Sequence, residues 1–482
     1  MGRSSGRRGV LPLLLVAGLA ACGGPALDEP GTLATTAQAH EQGPLTGAIR
    51  WARQISGEPV ILGEFPAEKY GTLVKDGEEH LLALYSFTGN IDLGDRVLTA
   101  PGGPTSSAIA LARYDQESGC LEWVKVFGPG PGVDGGVFGR RVVVDSKHNI
   151  LIAVGALGVD FGDGPVWEGE YLLKFDRQGR LLWKRSWEAD PGFLSVFDLL
   201  TDSHDNILMT GTLVGSVDFG SGRITSRPDP DEGFFGPSAF VTKYSPGGEN
   251  LWAYVHVAPQ FGEGLGATVD SQDHILLCGS ISSQGSTPFV LRLSPDGQLR
   301  WERYIRFSGY GTGRASDVAA HGDRIVLTGT FTGTFTFGGR TVTSDTSRPV
   351  QGDAFLVAYT REGKERWSRN FGFFGERIAM DQKDGVVVTG SYHDGDDLGL
   401  GPLPGKGNGS SNLFVAKFDR IDGEPLWTRG FPAGLAEPSS VVTTKDGRPS
   451  VLGSFRSGSL ILDGEEWPQK SPNDLFLLGL DR

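Results

Sequence analysis

The sequence predicts an all-β fold: a seven-bladed β-propeller of four-stranded antiparallel blades, closed by an N-terminal strand at about 48–55 that completes the C-terminal blade. Three observations predict it. A hairpin ending in tryptophan recurs along the chain, a second hairpin signature alternates with it, and the two chain ends hold complementary parts of one repeat.

The tryptophan signature is an apolar run, a polar turn containing glycine, and a second run reaching Trp. Its copies are LARYDQESGCLEW (111–123), LLKFDRQGRLLW (172–183), VTKYSPGGENLW (241–252), VLRLSPDGQLRW (290–301), LVAYTREGKERW (356–367) and VAKFDRIDGEPLW (415–427). Glycine supplies the turn conformation that side chains resist. The second signature, as in VVVDSKHNILIAVG (142–155), LLTDSHDNILMTG (199–211) and ATVDSQDHILLCG (267–279), places two apolar strands around an Asp/Asn turn. Continuous apolar runs of this length suit strands buried on both faces. Later copies close on Gly329, Gly390 and Gly453, whereas the first carries Tyr85 near that place.

Two hairpins per period make a four-stranded unit. Successive tryptophans lie 60, 69, 49, 66 and 60 residues apart. The C-terminus stops at LFLLGLD (475–481), a third strand lacking its Trp partner, and AIRWARQI (48–55) is a Trp strand lacking a predecessor. Joining them leaves no open sheet edge, a liability that closure removes. Glycine-rich extensions such as VDFGDG (159–164), SVDFGSG (216–222) and TFTFGGR (334–340) follow the second strand. The 73 glycines, about twice the usual share, match a chain of many turns.

Residues 1–21 read as a secretory signal: Arg3, Arg7 and Arg8, then the apolar run Val10–Leu19, too short to span a bilayer. Leu19-Ala20-Ala21-Cys22 resembles the bacterial lipobox, and that resemblance implies lipidation of Cys22 after cleavage. Residues 22–46 then form a flexible tether and 47–482 the propeller. Gly23 after the cysteine, where enteric bacteria place an inner-membrane retention Asp, favours the outer membrane or cell surface. The formal net charge of −14 becomes −17 without the first 21 residues, which disfavours nucleic acid as a partner.

The pattern GTFTGTFTFGG…DAFLVAYTREGKERW resembles the seven-bladed propeller repeats of surface lipoproteins from myxobacteria-like genomes, over residues 48–482. That family implies a fold and no particular function. Copies such as KFDRIDGEPLW are also similar to the tryptophan-docking repeats of quinoprotein dehydrogenases and of the outer-membrane assembly propeller lipoprotein. Those propellers usually have eight blades, and the adjacent Cys-Cys pair of many quinone dehydrogenases is absent here.

No catalytic motif, metal motif or cofactor motif stands in the chain. There is no H-E-x-x-H and no G-x-S-x-G. His148, His204 and His274 fall on the turns of successive repeats, and Asp145, Asp202, Asp270 and Asp381 read as residues capping those turns. Cys120 and Cys278 lie in different repeats and read as unbridged. The connections between second and third strands, and between repeats, are the long ones, so a ligand is expected at that end. Phe234 and Phe235, with Asp394, Asp396 and Asp397, are the candidate binding residues.

These observations predict a non-catalytic, lipid-anchored envelope protein, monomeric, that meets a protein or glycan partner through its long loops. An envelope enzyme with scattered residues at a channel mouth is the first alternative. A carbohydrate- or calcium-dependent adhesin is the second.

Overall fold

The computed structural model describes residues 46–58, 71–228, 235–257, 261–282, 286–345, 352–372, 374–383, 385–407 and 410–482. Residues 1–45, which hold the expected signal, Cys22 and most of the expected tether, and Phe234 lie outside them. No described residue is helical. The fold is all-β, built from four-stranded antiparallel meanders whose strands follow chain order.

Numbered along the chain, the meanders occupy 71–127, 136–187, 192–256, 261–304, 307–371, 374–431 and 433–480. The second to sixth are separate sheets, the third and fifth carrying one extra short strand each. The first and last belong to one ten-stranded sheet. The strand Ile49–Glu58 joins them. It pairs with Asp474–Leu480 from Ile49↔Leu480 to Ile55↔Leu475, then continues onto the first meander through Ser56↔Asp92 and Gly57↔Ile91.

Burial follows the apolar patterns. The second strand Gly385–Tyr392 and the third strand Asp353–Thr360 are buried at every position, because each middle strand is covered on both faces. Fourth strands such as Leu121–Phe127 are only half-buried. Seven apolar clusters fill the spaces between meanders, each drawn chiefly from two neighbours. One couples Trp51, Leu452, Leu475 and Leu477 to Leu81, Tyr85 and Tyr114, uniting the two chain ends. First strands also pack in sequence: Gly71–Asp76 lies against Gly136–Val144 on one side and Ala433–Thr443 on the other.

The tryptophans dock meander onto meander. Their indole nitrogens donate to a backbone carbonyl in the outer turn of the following meander: Trp51 to Gln116, Trp183 to Pro246, Trp252 to Pro295, Trp301 to Arg361 and Trp367 to Arg420, at 3.0–3.3 Å. Each ring lies on the glycine of that turn. A Cβ at Gly119 (φ +70°) would sit 2.4 Å from the Trp51 ring, and one at Gly423 (φ +76°) 2.6 Å from Trp367. Only glycine satisfies both the left-handed backbone and the contact. Trp123 departs from the pattern: beside it, Lys125 reaches the Gly179 carbonyl instead.

Candidate functional site

The repeated turn aspartates are structural. Asp145 Oδ1 accepts the Lys147 and Asn149 amides at 2.9 and 2.8 Å, while its Oδ2 meets Lys174 Nζ at 2.9 Å. Asp202 pairs with Lys243 at 2.8 Å, Asp270 with Arg292 at 2.6 Å and Asp381 with Lys417 at 2.7 Å. Burial pushes the Asp145, Asp202 and Asp270 carboxyls upward, yet the cations and turn hydrogen bonds outweigh it and leave all three lowered. These groups are spent on holding hairpins together, as the turn-capping reading expects.

Four residues before the turn aspartate the first strands do something the sequence motifs did not reveal. Six of them carry a β-bulge, between Gly139/Arg141, Val196/Asp198, Gly264/Gly266, Ala315/Asp317, Gly375/Arg377 and Pro438/Ser440. A bulge re-aims the residue that follows it. Arg141, Asp198, Asp317, Arg377 and Ser440 thereby line one shared cavity of about 190 Å³, together with Thr72 of the first meander. Gly266 occupies the equivalent place in the fourth, where a Cβ would lie 2.9 Å from Asp317 Oδ1.

Two acids and two arginines so buried must be satisfied locally. Asp198 accepts the Leu199 amide at 2.9 Å and, from the next meander, the Ala267 amide at 3.0 Å. Asp317 accepts Val318 N at 2.8 Å and, again across meanders, Ile378 N at 3.1 Å. Arg377 donates to Ser439 O at 2.7 Å, and Arg141 stands 3.7 Å from Asp198. Burial lifts Asp317 to about 6 against the pull of Arg377, with Asp198 adding to the rise. Asp198 is raised by burial too, opposed by Arg141. Aligning the repeats on the turn position, which is aspartate in five repeats and His321 or Thr444 in the other two, and reading four places upstream finds this group.

A larger cavity, about 560 Å³, opens at the opposite end from the long loops, among the tight turns of the first and second meanders. Asp76, Glu78, Glu79, His80, Arg113 and His148 line it. His148, at φ +62°, points its Nδ1 to Asp76 Oδ1 at 2.5 Å. His80 Nδ1 lies 3.2 Å from Glu122 Oε1, and Arg113 Nε 3.0 Å from Glu122 Oε2. The sequence led one to expect a ligand at the long-loop end; this cavity lies at the other. His204 and His274 stay apart on their own turns, each beside an aspartate of its own surroundings, Asp273 and Asp270.

The candidates from the long loops divide. Phe234 lies outside the described residues, and Phe235 bridges to Pro228 in the third meander. Asp394, Asp396 and Asp397 share one loop of the sixth and cap it. Asp394 accepts from Asn412 at 2.8 Å and Ser410 at 3.1 Å, and also from Gly407 N. Burial opposes these bonds, which still hold its carboxyl below the usual range. Asp396 accepts His393 N at 2.8 Å, and Asp397 accepts Gly399 N and Gly401 N at 2.7 and 2.9 Å. Their loop consumes these carboxylates, and Phe235 belongs to a different sheet. Cys278 is a buried free thiol, so it makes no bridge to Cys120, as their places in different repeats led one to expect.

The long-loop end is marked by apolar exposure instead. Of the twelve large apolar side chains exposed among the described residues, eight lie on second-to-third or inter-meander connections or on the strand ends that adjoin them, including Trp167 at 86% and Tyr310 at 107%. Val133 and Leu157, both exposed, are close at this end: a Cβ on Gly158 would lie 3.0 Å from the Val133 side chain.

No protein-family profile and no curated protein matches the chain. Solved structures do. A protein of unknown function from Dyadobacter fermentans is 13% identical, with a TM-score of 0.41 over 70% of this chain and 93% of its own. The WD40 domain of Pan2 from Neurospora crassa is 10% identical, at 0.32 over 71% and 89%. A polysaccharide lyase acting as an ulvan lyase is 10% identical, at 0.38 over 77% and 82%. At such identities and TM-scores these likenesses assign no activity to this chain.

Proposed function

We propose that this protein is a seven-bladed β-propeller, closed by Ile49–Glu58 completing the last blade, that is held at the cell envelope by lipid on Cys22 and serves as a non-catalytic binding or assembly module. Support for the ring comes from the seven shared apolar clusters and from first strands that pack each on the next, with Gly71–Asp76 touching both the second and the last. In this reading the ten-stranded sheet is two blades fused where Ser56 and Gly57 run on past Ile55.

The observation that carries the function is the concentration of exposed apolar side chains at the long-loop end, Trp167 and Tyr310 foremost. Soluble surfaces seldom gather such groups on one side without a partner to cover them. Photo-crosslinkers placed beside Trp167 and Tyr310, at the exposed Glu168 and Ser308 of the full chain in its native envelope, are expected to trap one recurrent protein or glycan. Trp167→Ser with Tyr310→Ser should abolish that adduct without changing the melting temperature. Equal capture by a crosslinker at Ile421, on a tight turn, would sink the reading.

An envelope enzyme is the second reading, favoured by the ionisable cavity around Asp198 and Asp317. It stands second because all four carboxylate oxygens there already accept backbone N–H groups. The cavity is also smaller than the roughly 300 Å³ at which small-molecule sites begin. The calcium adhesin is weakened by the self-capping of Asp394, Asp396 and Asp397.

A further inference from the structure

The geometry points to a divalent transition-metal site in the first meander, at the tight-turn end, with His80, Asp115 and Glu122 as its ligands. Their donor atoms all lie within 4.8 Å of one another. Four-coordinate N/O sites with bonds of about 2.0–2.2 Å place neighbouring donors roughly 3.4 Å apart, and His80 Nδ1 stands 3.2 Å from Glu122 Oε1. That nitrogen is buried and makes no hydrogen bond. Imidazole with two carboxylates suits zinc and its first-row neighbours rather than calcium or magnesium.

The repeat itself separates this cluster from scaffold. Where the first meander has His80, the second and third have Asn149 and Asn206, whose side-chain amides bond the turn aspartate at 2.8 and 2.9 Å, and the fourth has His274, which stands 3.6 Å from its own turn aspartate, Asp270. Glu122 stands at the bulge preceding the tryptophan of the fourth strand, a place held elsewhere by Leu182, Leu251, Arg300, Arg366 and Leu426. Folding the repeat therefore requires neither the histidine nor the acid. Only this meander has both.

The surroundings prepare the ligands. Arg113 holds Glu122 by its other oxygen, Oε2, at 3.0 Å, and Ser118 takes Asp115 Oδ1 through its amide and hydroxyl at 2.8 and 2.6 Å. Such outer partners orient metal-binding carboxylates. Asp76, Glu78 and Glu79 add negative charge along the 560 Å³ cavity beside the cluster, outnumbering Arg113 and Arg177. A second group, Asp202, His204 and Asp273, has the same spacing but is already committed. Lys243 and Asn206 occupy Asp202, and Ser203 occupies Asp273.

The test is titration of the full-length, metal-stripped protein with Zn²⁺, followed by calorimetry and by thermal melting. One equivalent should bind and raise the melting temperature. His80→Ala and Glu122→Gln should each weaken binding at least tenfold, while His204→Ala leaves it unchanged. The metal-free melting temperatures of the variants check their folding, and Glu122→Gln, being isosteric, keeps the test open should His80→Ala misfold. Co²⁺ in place of Zn²⁺ should give visible bands that Glu122→Gln alters. Absence of binding, binding indifferent to both first-meander variants, or loss on His204→Ala would overturn the assignment.

Discussion

The indole nitrogen of Trp51 donates a 3.0 Å hydrogen bond to the carbonyl of Gln116, tying the strand that completes the last meander to the outer turn of the first. Trp51 is buried and its ring covers Gly119. Trp51→Ala should therefore cost about 3–5 kcal/mol of stability, the range for truncating a buried aromatic. Trp51→Phe, which keeps the packing and loses the bond, should cost about 1 kcal/mol beyond its packing change. Urea unfolding of both variants measures the difference. A fold indifferent to Trp51→Ala would mean that this strand closes nothing.

Lys417 and Asp381 form a 2.7 Å ion pair with both side chains fully buried. Removing one member strands the other in a site without water. Lys417→Met should lower stability by about 3–5 kcal/mol, far more than the same change at Lys184, whose partner Asp163 is exposed. Chemical denaturation at neutral pH distinguishes them.

Asp317, raised from 3.8 to about 6, gives the fold a pH dependence of unusual sign. Between those values the folded protein keeps a proton that the unfolded chain releases. Stability from this group is thus full below pH 3.8 and lost as pH rises through about 6. Two units correspond to at most about 3 kcal/mol. Asp317→Asn should remove that decline, seen as a urea midpoint that no longer falls between pH 4 and pH 7 on account of this site. An unchanged pH profile would place the Asp317 proton elsewhere.

Lipidation of Cys22 predicts that the protein sediments with membranes, that Cys22→Ser moves it to the soluble fraction or leaves its signal uncleaved, and that mass spectrometry finds a diacylglyceryl thioether on that residue. Recovery of Cys22 in a disulfide would exclude the anchor.

Sequence reading reached the fold further than the sites, and the reason is physical. Hairpins like Leu172–Trp183 repeat because each meander must bury the same strands and most dock the same indole, so the signal is amplified along the chain. Even the partnership of Trp51 with the tail near Gly479 was legible, from two fragments that each lacked a half. Asp198 and Arg377 were not, because a bulge decides where they point and their neighbours come from other repeats. His80 and Glu122 were missed for the converse reason: Glu122 breaks the repeat, and no other repeat sets an acid there beside a histidine placed like His80 or His274, so a search for recurrence passes over the pair. The long-loop aspartates cap their own loop, a role the sequence does not separate from ligand binding because both use the same residue type.

Pairing Trp51 with Gly479 also sets a clock on the molecule. A chain made from its N-terminus holds the Ile49–Ile55 part of its first strand without a ladder partner until more than four hundred further residues have appeared. The last rung of that ladder is available only when synthesis is nearly over. Meanders in the middle can form early, but the one sharing both ends cannot. Any export machinery that accepts only open chains thus has nearly the whole of translation in which to take hold. A truncation near the C-terminus, by the same logic, damages the beginning of the protein as much as its end.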